Sequence, residues 1–153
     1  MKVLIALKGN EGAVFFRRLA ALLPLTRAEA ILLVHVIDVT PRADLERGRE
    51  RYLVRRPVSP EQTAELAGAE EAHAEAVLQF ARQQLAASGL PDERIHEVTA
   101  RGKPKEELRR LAEEERVSLI VVHGRPGKPG PHSLGKTARF LVDHCPEAAM
   151  VIR

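Results

Sequence analysis

Five short apolar segments, separated by segments with helical periodicity, constrain the fold of this chain more than any other feature. They cover residues 3–7, 31–37, 94–100, 117–122 and 148–152. A continuous apolar run of this length is typical of a strand buried on both faces of a parallel sheet. Strands that alternate with helices predict an α/β fold, with an open parallel five-stranded sheet and helices on both faces.

The helical segments cover residues 13–23, 61–88, 104–115 and 138–144. In the first of them, apolar residues that recur at helical spacing predict a buried face made of Val14, Phe15, Leu19, Leu22 and Leu23. The strand at residues 94–100 is the least apolar, with only Ile95 and Val98 alternating along it. We therefore place that strand at an edge of the sheet.

The chain has 153 residues, the length of one ordinary domain, so we predict a single domain spanning residues 1–153. Residues 41–60 form an irregular connector rich in arginine. It is either a mobile lid or partner-docking segment, or a stretch whose arginines only keep it solvated. We favour a mobile connector.

Composition excludes several classes of protein. Aromatic residues make up 3% of the chain, too few for the stacking platforms of common nucleic-acid modules, so no nucleic-acid partner is expected. The single cysteine, Cys145, excludes an internal disulfide and a multi-cysteine metal site. No apolar run approaches the roughly 20 residues of a membrane span, and the N-terminal run is too short for a secretory signal. We expect a cytoplasmic protein with no bound metal and no membrane partner.

A glycine-rich segment, residues 124–137, follows the fourth strand and precedes the last helix. A strand, a glycine loop and a helix N-terminus in this order form an anion site, because backbone N–H groups turn toward the ligand. The candidate phosphate-binding residues are Gly124, Gly127, Lys128, Gly135, Lys136 and Thr137. Lys8, at the end of the first strand, is expected at the same edge of the sheet.

Two other interpretations of this segment stay open. Residues 130–137 match the G-x4-G-K-[ST] pattern of a P-loop, although Gly130 lies several residues beyond the strand and no carboxylate completes a metal site. The segment is otherwise a surface loop of glycine and proline that binds nothing specific. For the histidines, His35 is interpreted as a hydrogen-bonded residue of the core, whereas His123 could face a ligand.

Several segments resemble those of the universal stress protein family and follow one another in the same order over the whole chain. They are residues 33–38, Gly102-Lys103-Pro104, residues 119–127 and Cys145-Pro146 ahead of the last strand. The resemblance implies a flavodoxin-like fold with strand order 3-2-1-4-5 and a homodimer formed through the C-terminal strand. It also implies binding of ATP, with or without Mg²⁺, through a G-x2-G-x9-G-[ST] signature.

The chain departs from that signature in three places. Gly124, Gly127 and Gly135 match its glycines, but the second spacer has seven residues, and Lys136 replaces the hydroxyl residue. Lys8 stands where ATP-binding members place an aspartate. Matching also carries over the remaining nucleotide-binding positions, Ala6, Leu7, Val36, Thr137 and Ala138.

The leading hypothesis is a module that binds ATP or a related nucleotide and is regulatory rather than catalytic, with at most weak ATP hydrolysis and no catalytic residues. One alternative is a homodimeric interaction protein of the same fold that binds no nucleotide. Another is a small-anion binder that uses Lys8, Lys128 and Lys136.

Overall fold

The computed structural model describes residues 1–40, 59–125, 127, 129–130 and 133–153. Strands and helices alternate along the described chain. In order they are β1 (Lys2–Leu7), α1 (Ala13–Leu22), β2 (Ala30–Asp38), α2 (Pro60–Ala87), β3 (Ile95–Gly102), α3 (Pro104–Glu114), β4 (Leu119–His123), α4 (Lys136–His144) and β5 (Ala148–Ile152). The predicted connector at residues 41–60 lies almost wholly outside the described residues.

The five strands form one parallel sheet in the order β3-β2-β1-β4-β5, which confirms the predicted fold class and strand order. β1 lies at the centre, where Ile5 pairs with Leu33 of β2 on one side and with Val121 of β4 on the other. β3 and β5 are the edges. The weak apolar pattern of β3 therefore predicted its position correctly, because an edge strand is less covered than a central one.

Side chains that alternate along β1 divide the core into two layers. Val3, Ile5 and Leu7 pack with residues of α1 and α2 on one face of the sheet. Leu4 and Ala6 pack with residues of α3 and α4 on the other face. Because both faces are covered, the central strands are continuously apolar.

The predicted apolar face of α1 was partly wrong. Phe15, Phe16 and Leu19 are buried, whereas Val14 and Leu22 are 58% and 62% exposed. Phe16 replaces them in the core and meets Phe80 of α2 edge to face, with the ring centroids 6.0 Å apart. The buried stripe of α1 is thus narrower than the apolar pattern of its sequence.

The ends of α2 are defined by local hydrogen bonds. At its start Ser59 and Gln62 form a capping box, in which each side chain accepts a bond from the other's backbone N–H. At its end Gly89 has a φ of 86°, which suits a glycine after a helix. No helix among the described residues is long and apolar enough to cross a membrane.

Candidate functional site

A cavity of about 310 Å³ opens at the carboxyl ends of β1, β2 and β4, beneath the starts of α3 and α4. Its wall is formed by Ala6, Leu7, Lys8, Val34, Val36, Asp38, Pro104, Leu108, Val122, Thr137 and Ala138. We call it the sheet-end cavity.

The strand order explains why a cavity forms there. The chain leaves β1 toward α1, which packs on one face of the sheet. It leaves the neighbouring strand β4 toward α4, which packs on the opposite face. Because the connections part in opposite directions, a gap remains between the tips of β1 and β4, where open α/β sheets bind their ligands.

The wall of the cavity is mainly aliphatic, and its charged residues are Lys8 and Asp38. Asp38 ends β2, and its Oδ1 accepts a hydrogen bond of 2.9 Å from the N–H of Thr40. A narrow apolar slot with a few polar groups at its rim suits a flat ring that carries hydrogen-bonding edges.

A second depression, of about 210 Å³, lies at the start of α4. Arg125, Gly135, Lys136 and Arg139 line it, and we call it the basic pocket. Gly135, with a φ of 77°, is the N-cap of α4, and no side chain caps the helix. Positive side chains and open N–H groups thus share one place, which favours an anion.

The predicted site residues fall into two groups. Ala6, Leu7, Lys8, Val36, Thr137 and Ala138 line the sheet-end cavity, whereas Gly135 and Lys136 line the basic pocket. The members of the two groups that lie in α4 follow one another along the start of that helix. Lys128 lies outside the described residues.

Two predicted glycines line neither part. The N–H of Gly124 donates to the carbonyl of Ile152 at 2.7 Å, and a Cβ there would lie 2.9 Å from side-chain atoms of Val151 and Arg153. The approach of β5 is thus sufficient reason for a glycine at position 124. Gly127 has a φ of 125°, and a Cβ there would have open space around it.

Sequence reasoning missed five residues of the cavity wall, namely Val34, Asp38, Pro104, Leu108 and Val122. Asp38 and Val122 could have been found, because each lies near the carboxyl end of a predicted inner strand. Leu108 gave no such signal, since it follows the ordinary apolar pattern of a helix.

Glu11, His35 and His123 lie behind the cavity, on the face of the sheet covered by α1 and α2. The interpretation of His35 as a hydrogen-bonded core residue agrees with its position, because its Nδ1 lies 3.0 Å from the carbonyl oxygen of Leu7. Burial is the main cause that lowers the pKa of His35; the bond to Leu7 opposes it. His123 packs its ring against Phe15, with the centroids 5.0 Å apart, rather than lining the cavity.

Among the described residues, no group of three or more His, Cys, Asp or Glu side chains is placed to hold a metal ion. The described lining of the basic pocket offers cations instead of carboxylates.

Comparison with protein families finds a match to the model of the Universal stress protein family over residues 1–153. Comparison with curated proteins finds no match.

Several solved structures share the fold. Universal stress protein UspA from Lactobacillus plantarum is 22% identical with a TM-score of 0.69, the match covering 100% of this chain and 97% of that one. A universal stress protein family protein from Arabidopsis thaliana with AMP bound is 19% identical with a TM-score of 0.63, covering 99% and 90%. The universal stress protein from Archaeoglobus fulgidus in complex with dAMP is 17% identical with a TM-score of 0.63, covering 100% and 98%.

Proposed function

Because this chain belongs to the universal stress protein family, we propose that it binds an adenine nucleotide such as ATP and acts as a regulatory module. The observation that carries the proposal is that residues at the start of α4 line both pockets. Thr137 and Ala138 belong to the wall of the mainly aliphatic sheet-end cavity, and Gly135 and Lys136 belong to the wall of the basic pocket. A nucleotide has the same two parts, a flat ring system and an anionic tail.

In this arrangement the base and ribose occupy the sheet-end cavity. Val36 and Val122 pack against the ring, and Asp38 accepts a hydrogen bond at the rim. The phosphates leave the cavity beside Lys8, a residue of its wall, and extend over the start of α4 toward Arg125 and Lys136, where positive charge and backbone N–H groups favour them. Two similar structures contain AMP or dAMP, and this supports a nucleotide as the ligand class.

We propose a binding role rather than a catalytic one. Among the described residues that line the sheet-end cavity, Thr137 carries the only hydroxyl group, and no histidine is present to activate it. Turnover, if measured, is expected to be slow. A nucleotide that binds only the folded protein stabilises it by mass action, which gives the module a way to report nucleotide level.

We also propose that the chain forms a homodimer through β5, in the cytoplasm. β5 is an edge strand that pairs with β4 on one side, and Met150 and Val151 are half-buried there. An edge with unpaired N–H and C=O groups is a natural surface for pairing with a second copy.

Two rival functions make different predictions. A small-anion binder would take sulfate or phosphate in the basic pocket, and an attached adenosine would not raise its affinity. A homodimer that acts only through protein contacts would bind neither small anions nor nucleotides. Two lysines favour the first rival. Lys136 of the basic pocket stands where the family signature has a hydroxyl residue, and Lys8 of the sheet-end cavity stands where ATP-binding members have an aspartate.

Thermal unfolding and calorimetric titration with ATP, ADP, AMP, adenosine and phosphate test these functions directly. We expect ATP to raise the melting temperature and adenosine to bind more weakly. Lys136→Glu should weaken ATP binding about tenfold or more by reversing a charge beside the phosphates. Arg17→Glu, the same charge change on the exposed side of α1, is the matched control and should leave affinity unchanged. If no adenine nucleotide shifts unfolding at millimolar concentration, the proposed function is wrong.

A further inference from the structure

The turn that joins β1 to α1 contains a buried carboxylate, that of Glu11. Its side chain is only 2% exposed. Glu11 and His35 are the buried polar residues of the described chain. A buried charge is costly unless hydrogen bonds or an opposite charge compensate it, so the contacts of Glu11 show what holds it there.

Backbone N–H groups of the same turn supply that compensation. The N–H of Lys8 donates to Oε1 and Oε2 of Glu11 at 2.9 and 3.1 Å, and the N–H of Gly9 donates to Oε2 at 2.9 Å. Two successive N–H groups that converge on one anion form a nest of the kind that binds phosphate. Here the chain's own carboxylate fills that nest.

The contacts of Glu11 also reach β4. Oε1 lies 3.8 Å from Nδ1 of His123, the residue directly before Gly124. Within the described part of the chain, that Nδ1 is the buried side-chain nitrogen with no hydrogen-bond partner, and no lysine or arginine forms an ion pair with Glu11. Glu11 therefore stands between the tips of the two strands that flank the sheet-end cavity.

These contacts have a consequence for the cavity, because Lys8 is part of its wall. The N–H of Lys8 is engaged by Glu11 and is not available to a ligand. Lys8 can therefore meet an anionic group only through its ammonium group, at the position where ATP-binding members of the family place an aspartate.

We propose that Glu11 is a positioning residue of the nucleotide site. By filling the nest at Lys8 and Gly9 it fixes the backbone of Lys8, so that the ammonium group of Lys8 contributes to the binding of anionic ligands. The proposal rests on the proposed function, since it assigns a role within the same site.

A double-mutant cycle tests it. We expect Glu11→Gln and Lys8→Met each to weaken ATP binding about tenfold, the effect of one charge-assisted contact. The double variant should be no weaker than Lys8→Met alone, since Glu11 acts through Lys8. Binding of adenosine, which carries no phosphate, should change less than twofold in all three. A merely structural role would weaken ATP and adenosine alike and would give additive losses, and either result overturns the proposal.

Amide hydrogen exchange in the free protein separates this inference from the proposed function. The N–H groups of Lys8 and Gly9 should exchange slowly in the wild type and faster in Glu11→Gln, whereas those of Ser133 and Gly135 should be unaffected. Fast exchange at Lys8 and Gly9 in the wild type overturns the proposal even if Glu11→Gln fails to fold. A wild type that binds neither ATP nor adenosine refutes the nucleotide function, and the exchange rates still decide whether Glu11 holds the turn.

Discussion

Single residues at the tips of β1 and β2 illustrate how polar groups are accommodated inside this fold. His35 is buried beside the end of β1 and bonds to the carbonyl of Leu7. Its ring meets that of His73 edge to face at 5.6 Å between centroids, and Glu11 lies close enough to influence its charge. The ring is therefore more easily held neutral than protonated.

The lowered pKa of His35 predicts a loss of stability in mild acid. Burial is the largest cause of the shift, the bond to Leu7 and the charge of Glu11 oppose it, and His73 adds to it. The unfolded chain binds a proton at His35 more readily than the folded chain does. The free energy of unfolding therefore keeps its full value above about pH 6.5 and falls as the pH drops below that value. Urea unfolding from pH 7.5 to pH 5 measures this fall. His35→Asn, which keeps a hydrogen-bond donor but does not titrate, should lose less stability over this pH range. A pH profile identical to that of the wild type would contradict the prediction.

Gly9 and Gly68 offer a matched pair of glycine substitutions with opposite expected signs. Gly9 has a φ of 99°, and a Cβ there would lie 2.9 Å from Nε2 of His73. Gly9→Ala should therefore destabilise the protein by about 1–2 kcal/mol. Gly68 lies within α2 with open space around it, so Gly68→Ala should stabilise by roughly 0.5–1 kcal/mol. Chemical denaturation of both variants measures the difference, and equal effects would contradict this account.

At the scale of elements, two arginines of the described residues join α2 to the β3 edge: Arg101 of β3, which pairs with Glu70 and Glu71 of α2, and Arg82. Arg82 of α2 bonds to Glu97 and Asp92 at 2.6 Å each and donates to the carbonyl of Ile95 at 2.8 Å. The carboxylates raise the pKa of its guanidinium further, and the hydrogen bond that Glu97 accepts from Arg82 is the largest cause. Edge strands need such support because they have a neighbour on one side only.

Removing the contacts of Arg82 should loosen β3 before the rest of the sheet. Arg82→Met is expected to cost about 1 kcal/mol, a modest figure because the ion pairs are partly exposed to solvent. Arg110→Met is the control, since Arg110 pairs with Glu107 and Glu114 of its own helix and should matter less. Hydrogen exchange should show faster opening of β3 in Arg82→Met than in the control. Equal protection of β3 in both variants would refute the role of Arg82.

The sequence predicted elements better than it predicted the site. A strand buried on both faces, such as the one that holds Ile5, is recognisable because every residue of the run 3–7 is apolar. Family resemblance located Ala6, Val36 and Thr137 in the cavity wall, since each lies near a strand tip or helix start. Glu11 gave no comparable signal, because its role depends on a close approach within a turn. The alternative reason for Gly124 likewise depends on how tightly β5 packs.

At the scale of the whole molecule, the proposed dimer forms through β5, the last described strand. Its start is exposed at Ala148 and Ala149. Ala149→Arg should favour the monomer, because like charges would face each other across a two-fold axis. Ala87→Arg, an equal change at the exposed end of α2, should leave the mass in solution unchanged. Sedimentation velocity measures both, and a wild-type monomer would contradict the proposed dimer.

The sheet-end cavity draws its wall from both ends of the described chain, with residues 6–8 on one side and Thr137 and Ala138 on the other. During synthesis the first strand leaves the ribosome long before α4 does. A nascent chain that stops short of α4 has the turn with Glu11 but lacks Thr137 and Ala138 of the cavity wall. The proposed nucleotide binding would therefore be open only to a chain translated through α4 and folded, and a truncated chain would gain none of the protection that a nucleotide gives against proteolysis.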